Sequence, residues 1–128
     1  GLRELLAWLK QAHILCAVAT STFTNVAIGY LKNAGVLNCF AAIVGGDQVS
    51  RSKPDPEIFQ LAMRALGKQT PETCVVFEDS RNGLLAGANG GFPVIVVPDL
   101  FDPTLELPGL CYAKCARLDE AIDVIQNS

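Results

Sequence analysis

The chain has few charged side chains, no cluster of basic residues and no long hydrophobic run. Charged residues make up 18% of its 128 residues and the formal net charge is −3, so the basic surface typical of nucleic-acid-binding proteins is missing. The longest apolar runs, at 14–19 and 93–97, fall far short of the ~20 residues that a membrane-spanning helix needs. No charged segment followed by an apolar one opens the chain, so no secretory signal is visible. We therefore expect a cytoplasmic protein without nucleic-acid or membrane partners.

The five cysteines are odd in number and lack the CxxC spacing typical of metal and redox sites. Most of them stand within or beside apolar segments, and their positions are Cys16, Cys39, Cys74, Cys111 and Cys115. This pattern favours buried, reduced thiols in a cytosolic protein. A metal site formed by Cys111 and Cys115 is the alternative, but the only histidine, His13, is far away in sequence.

Short apolar runs alternate along the chain with segments of helical periodicity. The predicted strands are 14–20, 41–46, 74–78 and 93–97, with a short segment at 111–116. The predicted helices are 2–12, 25–33, 56–66 and 81–88, with a closing helix whose apolar stripe is Leu118, Ala121, Ile122 and Ile125. A long loop rich in proline is predicted at 98–110.

The order and composition of these segments favour a parallel sheet. The run at 14–20 is continuously apolar rather than alternating, which is typical of a parallel strand covered on both faces. Half of the residues are hydrophobic, and the helices between strands are long enough for right-handed crossovers. The sequence therefore predicts one α/β domain over residues 1–128, a Rossmann-like three-layer sandwich with a mainly parallel sheet.

Ligands of such sheets bind beyond the carboxyl ends of the strands, and three predicted strand ends carry polar side chains. The first is Thr20-Ser21-Thr22, with Asn25 close behind. Hydroxyls and free backbone amides at a strand-to-helix turn suit an anion such as phosphate. Simple capping and turn formation by the same side chains is the alternative.

The second strand end is followed by SRSKPDPEIF, residues 50–59. Pro54 favours an extended backbone at Lys53, and the next helix begins firmly because Asp55 can cap it and Pro56 suits its first position. The backbone position of Lys53 is therefore fixed, and its ammonium could neutralise phosphate or carboxylate charge. The alternative is a solvated lysine in a loop.

The third strand end lies within CVVFEDSRNG, residues 74–83. An acidic pair, Glu78 and Asp79, at the end of a buried strand is a usual way to hold Mg²⁺, which prefers oxygen ligands. In the alternative, Asp79 or Ser80 caps the next helix while Glu78 turns to solvent. A hydroxyl, an ammonium and an acidic pair at three strand ends together favour a phosphate and Mg²⁺ site.

In this order and at this spacing, the three stretches resemble those of the haloacid dehalogenase-like (HAD) hydrolases. The similarity is greatest to the subgroup of β-phosphoglucomutase-like and phosphoglycolate-phosphatase-like enzymes. AVATS resembles the second motif of the family, GDQVSRSKPDPEIF the third and VVFEDSRNGLLAGANGG the fourth. The resemblance covers nearly the whole chain.

The resemblance implies a role for each polar group. Thr20 and Lys53 would be catalytic: Thr20 would hydrogen-bond the transferring phosphoryl group, and Lys53 would balance the charge of nucleophile and phosphate. Glu78 and Asp79 would help to hold Mg²⁺. The residues implied to face the phosphate or the substrate are Ser21, Thr22 and Asn25. Two small residues of the fourth motif, Gly83 and Ala86, would let the following helix approach the sheet closely.

One motif of the family has no counterpart in the chain. The first motif, a central strand that ends in DxD and supplies the nucleophilic aspartate, is not found before Thr20, and the helical cap that selects the substrate is absent too. The stretch DLFD, 99–102, has the wrong spacing and position. Family members place the first strand between the strands that end here at Thr20 and Glu78, so two unpaired inner strand edges are expected.

We therefore interpret the chain as the C-terminal part of a HAD-like protein, inactive on its own, whose first residue, Gly1, is not the natural start. The intact protein would form an aspartyl-phosphate and either hydrolyse it or pass the phosphate to another position of a small phosphorylated metabolite such as a phosphosugar. Two alternatives remain: a naturally truncated, non-catalytic binding protein, and a receiver-type signalling domain, in which the acidic pair comes early and the lysine late. The substrate and the oligomeric state are left open.

Overall fold

The structure is a computed structural model that describes residues 1–99 and 102–128. Strands and helices alternate in the predicted order. The strands are β1 (Ala17–Ala19), β2 (Ala42–Val44), β3 (Val76–Glu78), β4 (Val94–Val96) and β5 (Ala113–Lys114). The helices are α1 (Leu2–Gln11), α2 (Thr24–Asn33), α3 (Glu57–Ala65), α4 (Arg81–Asn89) and α5 (Ala121–Gln126). Part of the predicted loop at 98–110, and of the DLFD stretch, lies outside the described residues.

All strand pairs within the described residues are parallel, which confirms the predicted α/β class. They form two separate groups, because β1 pairs with β2 while β3, β4 and β5 pair in that order. None of the described helices is long and apolar enough to cross a membrane.

The two groups of strands leave the inner edges of β1 and β3 without a strand partner in the described part of the chain. Successive amides of a parallel strand point to opposite edges. The amide of Thr20 donates to β2 and that of Val76 to the residue before β4, so the amides of Ala19 and Phe77 face away from these neighbours. Within residues 1–99 and 102–128, the two inner edges are thus unpaired, as the resemblance implied.

The central strand β4 is covered on both of its faces. Val94 and Val96 are fully buried in a core shared with α3 and α4, which includes Ile58 and Leu84. Ile95, between the two valines, is fully buried in a second core together with side chains of α5. The sheet therefore lies between two layers of helix, which is the predicted three-layer arrangement.

The first strand differs from its prediction. It begins at Ala17 rather than at residue 14, and Ile14 and Leu15 are 41% and 58% exposed. Full cover on both faces was therefore wrong for this segment. The physical reason is that, among the described strands, β1 has a neighbour on one side only, which leaves the residues that lead into it partly exposed.

The cysteine prediction holds in part. All five thiols are free, but only Cys115 is buried, and Cys39 is exposed. Burial does raise the pKa of the Cys16 and Cys115 thiols, with smaller contributions from Cys39 and Glu120 respectively. Apolar flanks were a poor guide to burial here because Cys16 and Cys39 precede the short strands β1 and β2 instead of lying within them.

Candidate phosphate and metal site

A cavity of about 980 Å³ lies at the carboxyl ends of β1 and β3. The predicted site residues that line it are Thr20, Ser21, Lys53, Glu78 and Asp79. Thr22 and Asn25, also predicted to face the phosphate, do not belong to this lining. The three motifs thus meet in one place, although they are separated in sequence, because the carboxyl ends of parallel strands lie at the same edge of the sheet.

Lys53 and Glu78 form a direct ion pair across the cavity. The Nζ–Oε2 distance is 2.6 Å, and the two side chains are only 12% and 9% exposed. The Lys53 Nζ also lies 5.0 Å from the centroid of the Phe59 ring, within the range of a cation–π contact. Lys53 is therefore not a solvated loop residue and Glu78 does not turn to solvent, so these two alternatives are wrong, except that Ser80 does cap the next helix.

The loop that carries Lys53 is held by two carboxylates of the KPDPE segment. Asp55 accepts a hydrogen bond from the Glu57 amide at 3.0 Å and so caps the start of α3, as predicted. Glu57 does more than the sequence suggested, because its Oε1 accepts from the amides of Ser50 and Arg51 at 2.7 and 2.9 Å. Sequence patterns favoured Glu57 only for its position at the helix N-terminus, and its reach back to the preceding loop was missed.

The acidic pair is divided between two environments. Glu78 Oε1 accepts from the Ser80 hydroxyl at 3.2 Å, while Ser80 Oγ accepts from the Gly83 amide at 3.0 Å and caps α4. Asp79 is exposed, and its carboxylate has no hydrogen bond or ion pair within residues 1–99 and 102–128. Asp79 is therefore the carboxylate that is available to a ligand, whereas Glu78 is already engaged by Lys53 and Ser80.

This arrangement fits Mg²⁺ through two carboxylates. In the described part of the chain, no group of three or more His, Cys, Asp or Glu side chains could enclose a metal ion. Mg²⁺ is often bound by one or two carboxylates and completes its six ligands with waters and substrate phosphate oxygens, so a larger protein cage is unnecessary. Asp79 could ligate such an ion directly, and Glu78 could do so once it is released from Lys53.

The loop after β1 presents donors suited to an anion. Thr20 Oγ1 accepts from the Thr22 amide at 3.2 Å, which closes the turn. Within the described residues, the amides of Ser21 and Phe23 have no hydrogen-bond acceptor. Because an amide left unpaired in a turn can bind a phosphate oxygen, this loop offers at least the Thr20 hydroxyl and the Ser21 amide to the cavity.

Arg81, at the start of α4, adds a second cation to the cavity lining. Its Nε lies 3.3 Å from Glu106 Oε2, and the two side chains are 51% and 55% exposed. This residue was not among the predicted site residues, because an arginine in the first turn of a helix resembles an ordinary surface position.

Comparison with known proteins agrees with this arrangement of residues. Residues 1–91 match the family model described as haloacid dehalogenase-like hydrolase. A phosphorylated carbohydrates phosphatase from Thermotoga maritima is 42% identical over 91 residues, which make up 71% of this chain and 42% of that protein. The chain thus spans less than half the length of this curated relative.

Two solved structures share the fold. A proposed β-phosphoglucomutase from Thermotoga maritima has a TM-score of 0.87 at 35% identity, over 99% of this chain and 59% of that chain. CbbY from Rhodobacter sphaeroides, in complex with phosphate, has a TM-score of 0.84 at 34% identity, over 94% of this chain and 54% of that chain. Family membership decides against the receiver-type alternative. Since the family model matches most of its length, this chain belongs to the haloacid dehalogenase-like hydrolases.

Proposed function

We propose that residues 1–128 form one unit that supplies the phosphate and Mg²⁺ groups of a phosphoryl-transfer hydrolase acting on small phosphorylated metabolites, phosphosugars in particular. The observation that carries the proposal is the meeting of Thr20, Lys53 and Asp79 in one cavity between two free strand edges. The similarity to a phosphorylated carbohydrates phosphatase supports the substrate class.

The groups on this chain would act mainly by binding and by charge compensation. The Thr20 hydroxyl and the Ser21 amide would donate to oxygens of the transferring phosphoryl group, and the Lys53 ammonium would offset the charge that collects there. Mg²⁺ held by Asp79 would neutralise part of the same charge. In this proposal none of these groups attacks phosphorus, because each is assigned to binding the phosphate or the metal, so the nucleophile would come from elsewhere.

The nucleophile would be an aspartate on a strand that lies outside residues 1–128 and fits between β1 and β3. Its carboxylate would attack phosphorus, the bond to the metabolite oxygen would break, and that oxygen would take a proton. Water would then hydrolyse the aspartyl-phosphate to inorganic phosphate. The free inner edges support this proposal, because an inserted parallel strand would satisfy their unpaired amides and carbonyls.

The test is phosphate release from a panel of phosphosugars by the full gene product, with and without Mg²⁺. We expect Mg²⁺-dependent turnover that Asp79→Asn abolishes and that Asp123→Asn, an exposed change on α5, leaves unchanged. Near-normal turnover in the Asp79 variant would remove this residue from the metal site. Phosphate binding without any turnover would favour the non-catalytic alternative.

The 128-residue chain alone gives a second test. We expect it to be inactive towards the same panel, because the attacking carboxylate would be missing. Mg²⁺-dependent turnover by the pure chain would contradict the external nucleophile.

A further inference from the structure

The loop that follows β2 is bonded directly to the loop that precedes α2. Asp47 Oδ1 accepts from the Thr24 amide at 2.6 Å and from the Thr24 hydroxyl at 2.8 Å. These two hydrogen bonds join residues that are 23 positions apart. Thr24 comes directly after the loop that contains Thr20 and Ser21, so Asp47 holds that loop from a neighbouring strand end.

The Thr24 hydroxyl is the centre of a small network. While it donates to Asp47, its oxygen accepts from Gln48 Nε2 at 2.7 Å and from the Gly45 amide at 3.2 Å. Gln48 Nε2 also donates to the Ile43 carbonyl at 3.1 Å, which ties the network to β2. Thr24 thus uses both the donor and the acceptor capacity of its hydroxyl, which leaves it little freedom to rotate.

The two backbones also touch. The Gly46 amide donates to the Thr22 carbonyl at 2.9 Å. A Cβ atom at Gly46 would collide with the Ser21 carbonyl oxygen, and one at Gly45 would collide with the Thr24 amide. Only glycine leaves room for this approach, so the glycine pair and the acid that follows it act together.

Asp47 also substitutes for a missing cap. The residue before α2, Phe23, provides no side-chain hydrogen bond to the helix, so the first amide of α2 is satisfied by Asp47 instead. The hydrogen bond from the Thr24 amide is the largest cause that lowers the pKa of the Asp47 carboxyl, and the hydrogen bond from the Thr24 hydroxyl is the second largest. The Thr24 amide is therefore occupied by Asp47 and is not available to an anion, whereas the Ser21 and Phe23 amides have no acceptor within the described residues.

We propose that Asp47 is a positioning residue that, through Thr24, fixes the Thr20–Thr22 loop in the conformation that binds phosphate. The identity of the ligand rests on the proposed function, whereas the fixing of the Thr20–Thr22 loop by Asp47 does not. The neighbouring β2 loop would in this way set the geometry of the donors that β1 delivers to the cavity.

The test uses the 128-residue chain, inorganic phosphate as the probe, and NMR detection of backbone amides. In Asp47→Ala we expect hydrogen exchange at Thr24 and Gly46 to rise by about tenfold, and phosphate affinity to fall by a similar factor, the effect of one charge-assisted hydrogen bond. Thr24→Val should reproduce the loss and Thr24→Ser should restore it. Asp123→Ala, an exposed change on α5, is the matched control for removal of a carboxylate.

A purely stabilising role of Asp47 would leave the phosphate affinity of the folded chain unchanged. The rescue by serine, together with an acid titration of the Thr24 amide shift that disappears in Asp47→Ala, would assign the effect to the contact between Asp47 and Thr24. Unchanged exchange at Thr24 and Gly46 in Asp47→Ala would overturn the proposal, as would unchanged phosphate affinity. If the unmodified chain binds no phosphate, the proposed phosphate site of this chain is wrong. The hydrogen-exchange data alone then decide whether Asp47 fixes the conformation of the Thr20–Thr22 loop.

Discussion

The ion pair between Lys53 and Glu78 should contribute far more to stability than an ion pair at the surface. Both side chains are nearly buried, and the charged atoms are 2.6 Å apart. Removing one member of a buried pair leaves an uncompensated charge and costs about 3–5 kcal/mol. Since both groups keep a little exposure, we expect Lys53→Met to lower the free energy of unfolding by about 3 kcal/mol, the lower end of that range. This is a large share of the roughly 5–15 kcal/mol that stabilises a typical domain.

A double-mutant cycle isolates the interaction from the other effects of each change. Urea unfolding at pH 7, followed by circular dichroism, would be measured for the unmodified chain, Lys53→Met, Glu78→Gln and the combined variant. We expect the combined variant to be more stable than the sum of the single changes by about 2 kcal/mol, within the range of about 0.5–3 kcal/mol found for residues in contact. The double change removes both charges, so neither remains buried without its partner.

The Arg81–Glu106 pair supplies the control, because it has similar chemistry at 3.3 Å but both side chains are about half exposed. The corresponding cycle, with Arg81→Gln and Glu106→Gln, should give only about 0.2–1 kcal/mol because water and salt screen exposed charges. If the coupling between Lys53 and Glu78 is no larger than that of the control pair, the reasoning from burial is refuted.

Two further predictions concern packing and pH. Gly83→Ala should destabilise the chain by about 1–3 kcal/mol, because its new Cβ would overlap the Glu78 carboxylate. Gly29→Ala, in open space on α2, should instead stabilise the chain by about 0.5–1 kcal/mol. Urea midpoints test both changes, and equal effects would contradict the predicted clash at Gly83. Hydrogen bonding by the Thr104 hydroxyl is the largest cause that lowers the pKa of Asp102 from 3.8 to about 2. The stability from this ionised group is therefore complete above pH ~4 and lost as the pH falls through about 2, so Asp102→Asn should lower the urea midpoint at pH 7 but not near pH 2. An equal loss at both pH values would contradict this assignment.

The order of elements and the location of the site could be predicted because both depend on local patterns. The continuous apolar run at 93–97 and the helix start at Asp55 each specify one element, and the structure contains both. Parallel strands bring their carboxyl ends to one edge, so the polar residues after β1 and β3 had to lie near each other. No long-range information was needed for these steps.

The contacts between loops could not be predicted, because they join residues that are far apart in sequence. Nothing near Asp47 indicates that its carboxylate reaches Thr24, and nothing near Glu57 indicates that it binds the amides of Ser50 and Arg51. An acidic residue at a strand end or in the first turn of a helix has several local uses, and only the fold selects among them. The direct pairing of Lys53 with Glu78 was missed for the same reason.

That ion pair also crosses the division between the two groups of strands. Lys53 follows β2 in the first group, and Glu78 ends β3 in the second, so the pair ties the groups together at the carboxyl ends of their free inner edges. A carboxylate on a strand inserted between these edges would enter next to the Lys53 ammonium and compete with Glu78 for it. We expect this exchange to free a Glu78 oxygen beside Asp79, where it could ligate Mg²⁺. The same lysine would then pair with Glu78 in the isolated chain and with the incoming carboxylate once that strand is in place.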